Sequence, residues 1–434
     1  MIRPFITSFH VAALVAATLA SVFPTSTQAA EPVAGPLTLG PKIVNLHKVR
    51  ALVGPAVFVD GKGIAHLAWV EEDKEIRTLF YARTDEAGGK LGQPVRVNRS
   101  DEVPYFRQEA PALTVNGDTV LITWALIHPN ATADKPFANE LRLSRSADGG
   151  QSFEPSVRVN DDEQAALHTF DSLAPGGSDV SHMAWIDGRE GKKEPATYVT
   201  QSTDGGRSVV KNLKIDEGTC VCCRTSTAVG PDGTIYVAWR KIFDGNVRET
   251  VVAHSTDLGR TFSAPVIVGH DRWVYPACPH RPASIAVDRQ GRLYVVWYTE
   301  GQDETPAVYV ATSDDRGRTF SPKKPLNVSK GTFPDHPQLA VDAAGRVVVL
   351  WEEQSPVRRE VVVSASLDRG RTFSKPVKLN DHKGQTPTVS VNAQGRGVMT
   401  WQEHAMPGQK MVIQPFAFPP ADQAGQMQVS ETQR

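Results

Sequence analysis

Runs of apolar and β-branched residues alternate along the chain with short polar turns. Seven of these runs end in tryptophan, at Trp69, Trp124, Trp185, Trp239, Trp297, Trp351 and Trp401. Turns such as Pro231-Asp232-Gly233 come before them, which is the usual signal of a β-hairpin. The pattern predicts an all-β chain with a repeated unit.

A polar phrase of eight residues, Ser-x-Asp-x-Gly-x-x-Phe, marks the same repeat. Its copies are Ser146–Phe153, Ser255–Phe262, Ser313–Phe320, Ser366–Phe373 and, with valine in the last place, Ser202–Val209. Asp and Ser side chains can accept hydrogen bonds from backbone N–H groups just ahead, and Gly permits a positive φ. Each copy therefore predicts a tight hairpin, with the Phe folded back onto the sheet.

One repeat of about 50 to 60 residues accommodates four antiparallel strands, named a to d, which is the unit of a β-propeller blade. In the fifth repeat, strand a is 284–287, strand b ends at Trp297 and strand c is 307–311. The seventh repeat lacks strand d, and residues 41–46 resemble a spare one. We predict seven blades, with six as the alternative, in a ring closed by the N-terminal strand joining the C-terminal blade.

The N-terminus carries an arginine, a short apolar run and a small-residue site, the pattern of a secretory signal peptide. We predict a signal peptide at 1–29, one propeller domain at 30–418 and a disordered tail at 419–434. No later apolar run reaches the length of a membrane span. The expected location is the periplasm or the extracellular space.

Charge narrows the choice of partner. The chain has 47 basic and 48 acidic residues, so it lacks the positive surplus of a protein that binds nucleic acid. The expected partner is a small-molecule or carbohydrate ligand, or a protein in the exported compartment.

The five hairpins resemble the Asp boxes, also called BNR repeats, of the sialidase superfamily. The resemblance covers residues 37 to 418 and implies a propeller whose active site lies on the face opposite the hairpins. It also implies three arginines around a substrate carboxylate, a Tyr activated by a Glu, and an Asp acid/base. Arg107, Arg224 and Arg281 are the candidates for the arginines, each just ahead of a strand a.

The Tyr of that family comes late in the chain, whereas the last Tyr here, Tyr309, lies inside a predicted strand c. We therefore expect ligand binding without sialidase chemistry. The alternative is an exo-acting glycoside hydrolase on an acidic sugar, with the same arginines as carboxylate contacts.

All four cysteines fall in two consecutive loops that lead from strand d of one blade to strand a of the next. They are Cys220, Cys222, Cys223 and Cys278. Sulfur together with the imidazole of His280 suits copper or zinc. An even number of cysteines in an exported protein equally suits disulfides, and inert thiols are the third interpretation.

Further polar residues are expected at the same face of the ring. Asp335 and His336 lead into the sixth blade, and Asp187 and Arg189 follow a strand b. The predicted ligand-binding residues are Arg224, Arg281, His280, Asp335, His336, Asp187 and Arg189.

Overall fold

Each run that ends in tryptophan forms the second strand of an antiparallel sheet. A computed structural model describes residues 33–420, apart from 75, 86–87, 106–109, 192–194, 328–330 and 406–407. Within these residues, 31 strands form seven sheets, and one 3-10 helix, Asp244–Asn246, interrupts them. The predicted leader and residues 421–434 of the predicted tail lie outside this range.

Three short strands come first, and three regular blades follow them. The first strands are β1 (Val33–Ala34), β2 (Leu37–Leu39) and β3 (Ile43–His47). Blade 1 contains β4 (Ala51–Val59), β5 (Ala65–Asp73), β6 (Ile76–Arg83) and β7 (Val95–Arg96). Blade 2 contains β8 (Ala112–Asn116), β9 (Thr119–Ile127), β10 (Asn139–Ser146) and β11 (Val157–Arg158). Blade 3 contains β12 (His168–Pro175), β13 (Ser181–Asp187), β14 (Ala196–Ser202) and β15 (Leu213–Glu217).

Blades 4 to 6 follow the same plan, with one strand added to blade 4. Blade 4 contains β16 (Ser226–Val229), β17 (Ile235–Phe243), β18 (Val247–Ser255), β19 (Val266–Ile267) and β20 (Trp273–Val274). Blade 5 contains β21 (Ser284–Val287), β22 (Leu293–Thr299), β23 (Ala307–Ser313) and β24 (Lys324–Pro325). Blade 6 contains β25 (Phe333–Val341), β26 (Val347–Gln354), β27 (Arg359–Ser366) and β28 (Val377–Lys378).

Blade 7 joins the two ends of the chain, as the sequence predicts. It contains β29 (Gly384–Val391), β30 (Arg396–Ala405) and β31 (Gly408–Ala417). The N-terminal β3 pairs antiparallel with β31, from Ile43 opposite Ile413 to His47 opposite Gln409, and β2 pairs with the end of β31. The seven-bladed ring and its closure are confirmed.

The tryptophans of the second strands are buried and most donate a hydrogen bond to a carboxylate. The acceptors for Trp69, Trp185, Trp239, Trp297, Trp351 and Trp401 are Glu71, Asp187, Asp216, Asp271, Glu353 and Glu403, at 2.7 to 3.2 Å. Trp124 instead donates to Ser144. A buried indole N–H needs an acceptor, so this repeated bond accounts for six acidic residues.

The eight-residue hairpins have the predicted geometry. In one of them, the N–H of Gly259 donates to Ser255 Oγ at 3.0 Å, and the N–H of Thr261 donates to Asp257 Oδ1 at 3.0 Å. The Phe of each full copy packs against a hydrophobic core. Phe153, for example, lies edge-on against Tyr81 of blade 1 at 5.5 Å between ring centroids. The hairpins therefore fasten neighbouring blades together.

Within the described residues, no helix is long and apolar enough to cross a bilayer.

Candidate functional site

The first strands of the blades line the centre of the ring, where β12, β16, β21, β25, β29, β4 and β8 contact one another in turn. Because consecutive strands are antiparallel, the loops that link blades lie at the end of the ring opposite the Asp-box hairpins. We call this end the channel mouth. We define it by eight described residues that precede or begin the first strands, namely Phe170, Arg224, His280, Arg281, Asp335, His336, Gln385 and Thr386.

Four residues of the channel mouth have left-handed backbone conformations although they are not glycine. The φ angles are 54° for Phe170, 53° for His280, 45° for His336 and 51° for Thr386. Three of the four lie in a β-bulge, where the register of the first strand shifts. Such conformations are costly for residues with a Cβ, and they concentrate at functional sites.

His336 is held between two carboxylates. Its Nδ1 lies 3.3 Å from Asp335 Oδ1 and 3.3 Å from Glu352 Oε1. Burial lowers the pKa of His336, but the charges of Asp335 and Glu352 outweigh it, so that the net pKa is raised. Glu352 is buried and also accepts the N–H of Thr386 at 2.7 Å. Since 34% of the His336 side chain is exposed, a charged imidazolium can face a ligand.

Polar side chains extend this group toward blade 7. The amide of Gln354 donates to Asp335 and Glu352 at 3.2 and 3.0 Å. Arg359 donates to Gln385 at 2.6 Å and to Gln354 at 3.1 Å. The arrangement is a continuous hydrogen-bonding network across blades 6 and 7.

Two of the three predicted arginines are described, and neither has a free guanidinium group. Arg281 forms an ion pair with Asp335 at 2.5 Å, and Arg224 donates to the carbonyl of Ala110 and lies 3.9 Å from Asp171. Each is at least three-quarters buried. Arg107 lies outside the described residues. The two described arginines are therefore at the channel mouth, as predicted, but each already has an aspartate partner.

A Tyr and a Glu do form a hydrogen bond beside Arg281. Tyr298 Oη donates to Glu300 at 2.6 Å, and the Arg281 guanidinium lies 4.4 Å from the Tyr298 ring centroid. The Tyr298 side chain, however, is fully buried, and burial raises its pKa. A nucleophile must reach its substrate, so this tyrosine is a packing residue.

The cysteines divide into a cluster of three and one outlier. Cys220, Cys222 and Cys223 are buried, and Cys220 Sγ lies 3.6 Å from Cys222 Sγ and 3.5 Å from Cys223 Sγ. None of the four cysteines is in a disulfide in this structure, although disulfides were one of the three interpretations of the sequence. Cys278, which the sequence placed with the other three, has an exposed side chain and lies outside this cluster.

His280 lies near the cluster without joining it. Its ring packs against Phe170 at 6.3 Å between centroids, and Phe170 covers the three cysteines. Burial lowers the pKa of His280, partly offset by the charge on Cys220. The imidazole of His280 therefore lies near the three cysteines, but only the three sulfur atoms contact one another.

Asp187 and Arg189, predicted to bind ligand, instead bind each other. Arg189 donates to Asp187 at 2.8 Å and to Asp161 at 2.6 Å, and Asp187 accepts from Trp185. His168 Nε2 is 3.0 Å from Asp162 in the same group. The acidic oxygens could otherwise suit a metal, but the guanidinium of Arg189 already occupies the place of a cation. These residues stabilise blade 3.

Some polar residues of the network were not expected from the sequence. Gln354, Arg359 and Gln385 have no motif around them, and only the three-dimensional register brings them together. The acidic partners of the tryptophans did leave a signal in four blades, since the acid follows the tryptophan by two positions in Trp69/Glu71, Trp185/Asp187, Trp351/Glu353 and Trp401/Glu403.

Comparison with known proteins gives the same architecture. Residues 231–405 match the model of the BNR repeat-like domain family, and no curated protein sequence matches the chain. A protein of unknown function from Dyadobacter fermentans has a similar structure, with 14% identity, coverage of 88% of this chain and 100% of that one, and a TM-score of 0.53.

Two carbohydrate-active enzymes have similar folds. One is an ulvan lyase of a polysaccharide lyase family, with 12% identity, coverage of 85% and 95%, and a TM-score of 0.55. The other is an α-L-arabinanase from Penicillium chrysogenum, with 12% identity, coverage of 88% and 98%, and a TM-score of 0.52. At these identities the likeness concerns the fold. The chain is a seven-bladed β-propeller, of which residues 231–405 match the BNR repeat-like domain.

Proposed function

We propose that the protein is an exported propeller that binds a carbohydrate at the channel mouth, without cleaving it. The observation that carries the proposal is the left-handed backbone of Phe170, His280, His336 and Thr386. Each such residue costs about 1–3 kcal/mol. Four on one end of the ring, three of them at equivalent bulges of first strands, are a sustained cost, which a binding site explains.

The side chains beside those residues suit a hydroxyl-rich ligand. Gln354, Arg359 and Gln385 supply amide and guanidinium groups in one network, and 38% of the Arg359 side chain is exposed. Sugars are bound through such planar, multiply hydrogen-bonding groups. The similar ulvan lyase and arabinanase were determined with saccharides bound, and the ligand class is carried over on that basis.

Binding can be measured directly on the mature chain. A glycan array identifies the saccharide class, and calorimetry with the best oligosaccharide gives the affinity. We expect His336→Ala and Arg359→Ala each to weaken binding by about tenfold or more, since each loses a charge-assisted hydrogen bond. Arg318→Ala, on the exposed Asp-box face, is the matched control and should bind as the wild type. Absence of binding to any saccharide, or equal loss in the control, contradicts the proposal.

Glycoside cleavage is the second candidate, and one observation favours it. The hydrogen-bonded pair of Tyr298 and Glu300 beside Arg281 has the residue types that the sialidase resemblance implies. Because Tyr298 is buried, we expect no release of the fluorophore from a fluorogenic sialoside. Turnover that disappears in Tyr298→Phe would establish the hydrolase instead.

A further inference from the structure

Two arginines beside the cysteine cluster are buried without an acidic partner. Arg248 is 4% exposed and Arg240 is 2% exposed. Arg248 donates to the carbonyl of Tyr275 and, at 2.9 Å, to Cys220 Sγ. Arg240 donates to the carbonyls of Arg281 and Tyr298, and its Nη1 is buried with no hydrogen-bond partner among the described residues.

A buried guanidinium needs a counter-charge, because taking an isolated charge out of water costs several kcal/mol. Among the described residues neither arginine has an Asp or Glu within ion-pair distance. Arg248 donates to Cys220 Sγ, and Arg240 lies beside the same loop, since its carbonyl accepts the N–H of Cys220 at 2.8 Å. The two guanidinium groups are therefore placed to balance the negative charge that the cysteine sulfurs carry when they bind a metal ion.

We propose that Cys220, Cys222 and Cys223 bind one copper(I) ion through their three sulfur atoms. The three sulfurs lie within 4.8 Å of one another. Metal–sulfur bonds of about 2.3 Å place the sulfurs of a site about 3.8–4.0 Å apart. The observed separations of 3.5 and 3.6 Å are within a few tenths of an ångström of that spacing, and far from the ~2.05 Å of a disulfide.

Copper(I) fits the ligand number better than zinc does. Zinc in structural sites takes four ligands, and in the described part of the chain no His, Asp or Glu joins the three sulfurs. Copper(I) is a soft ion that accepts three thiolates. Three thiolates and one monovalent ion carry two negative charges, which the guanidinium groups of Arg240 and Arg248 neutralise.

Phe170 gives the site its relation to the channel mouth. Its side chain packs against the three cysteines, and its ring also contacts His280. The site is thus separated from the channel mouth by one aromatic side chain. The inference does not depend on carbohydrate binding, since none of the three cysteines belongs to the channel mouth.

The test is a copper(I) titration of the full mature chain. The protein is reduced, freed of metal and titrated anaerobically with copper(I) in competition with bathocuproine disulfonate. We expect about one ion per chain, held by sulfur atoms at about 2.3 Å in X-ray absorption. Cys220→Ser, Cys222→Ser and Cys223→Ser should each lower the affinity by about a hundredfold or more. Cys278→Ser is the matched control, because its thiol is exposed and outside the cluster, and should bind like the wild type.

Three results would overturn the proposal. The first is failure of the reduced wild type, shown to be folded by circular dichroism, to compete for copper(I). The second is a preference for zinc over copper(I) in the same competition format. The third is a disulfide between Cys220 and Cys223 in protein isolated without reductant, seen as a mass two hydrogens lighter, together with no copper uptake after reduction. That result would identify a redox pair instead.

Arg248→Lys keeps the positive charge but loses the two-pronged donor geometry of the guanidinium. We expect its copper affinity to fall by about tenfold or more.

Discussion

Gly150→Ala tests whether the Asp-box hairpins fasten neighbouring blades. Gly150 belongs to the hairpin of blade 2 and has φ of +87°. A Cβ added there would lie 2.0 Å from Cε1 of Tyr81, in blade 1. Because no side chain fits at that distance, Tyr81 must move, and its 2.7 Å hydrogen bond with His66 breaks.

The expected cost has three parts. Left-handed alanine costs about 1–2 kcal/mol, overpacking about 1–3 kcal/mol and the lost hydrogen bond about 1 kcal/mol. The sum is about 3–6 kcal/mol, which is a large share of a typical stability of about 5–15 kcal/mol. Gly233→Ala is the matched control, since Gly233 has φ of +79° but an added Cβ would meet no atom within 4 Å. Its cost is the backbone part alone, about 1–2 kcal/mol.

Urea unfolding, followed by tryptophan fluorescence and circular dichroism, measures both variants. Gly150→Ala should unfold at a clearly lower urea concentration than Gly233→Ala, with both below the wild type. Equal midpoints for the two variants would refute the packing argument, since they would show that backbone conformation alone sets the cost.

Three further results are expected from urea unfolding. His336→Gln should lower the free energy of unfolding most near pH 5 and less above pH 6.5, because a histidine whose folded pKa is raised loses its stabilising contribution as pH rises through that pKa. The raised pKa of His168 affects wild type and variant alike, so it cancels in the difference. A loss of stability that does not change with pH would contradict this prediction. Asp368→Ala should cost about 1–3 kcal/mol through loss of its bonds to Ser366 and to the loop ahead, whereas Asp368→Asn should cost less. Trp351→Phe should cost about 1–3 kcal/mol, because the buried Glu353 keeps the hydroxyl of Thr332 but loses the indole donor at 2.7 Å. A change below the error of the midpoint would show that the bond is unimportant.

The sequence was sufficient for the architecture because the repeated features are local. The hairpin at Ser255–Phe262 forms its hydrogen bonds within the phrase, so its geometry can be inferred from the phrase itself. Ring closure was also predictable, since residues 41–46 resemble a fourth strand and blade 7 lacks one. The added strand β20 at Trp273 carries no such mark and was not predicted.

The site was only partly predictable, because its contacts join different blades. Arg281, Asp335 and His336 do meet at the channel mouth, as their places before strands a predict. The polar residues Arg359 and Gln385 could not be identified, since nothing local distinguishes them from solvated side chains. Cys278 was assigned to the cluster because its loop is the next blade-linking loop along the chain. Its side chain is nevertheless exposed, which the sequence does not show.

The hydrogen-bond partners of the acidic residues show which of them stabilise the fold and which are available to the channel mouth. Glu71, Asp187, Glu353 and Glu403 accept an indole N–H from their own blade, so a repeat-wide structural need accounts for them. Glu352 accepts no hydrogen bond from a described tryptophan. It contacts the imidazole of His336 and accepts the N–H of Thr386, whose backbone is left-handed. Glu352 therefore differs from these four acids, because its partners belong to the polar network of blades 6 and 7. Binding therefore has its best candidate at blade 6, where the exposed part of His336 faces away from that carboxylate.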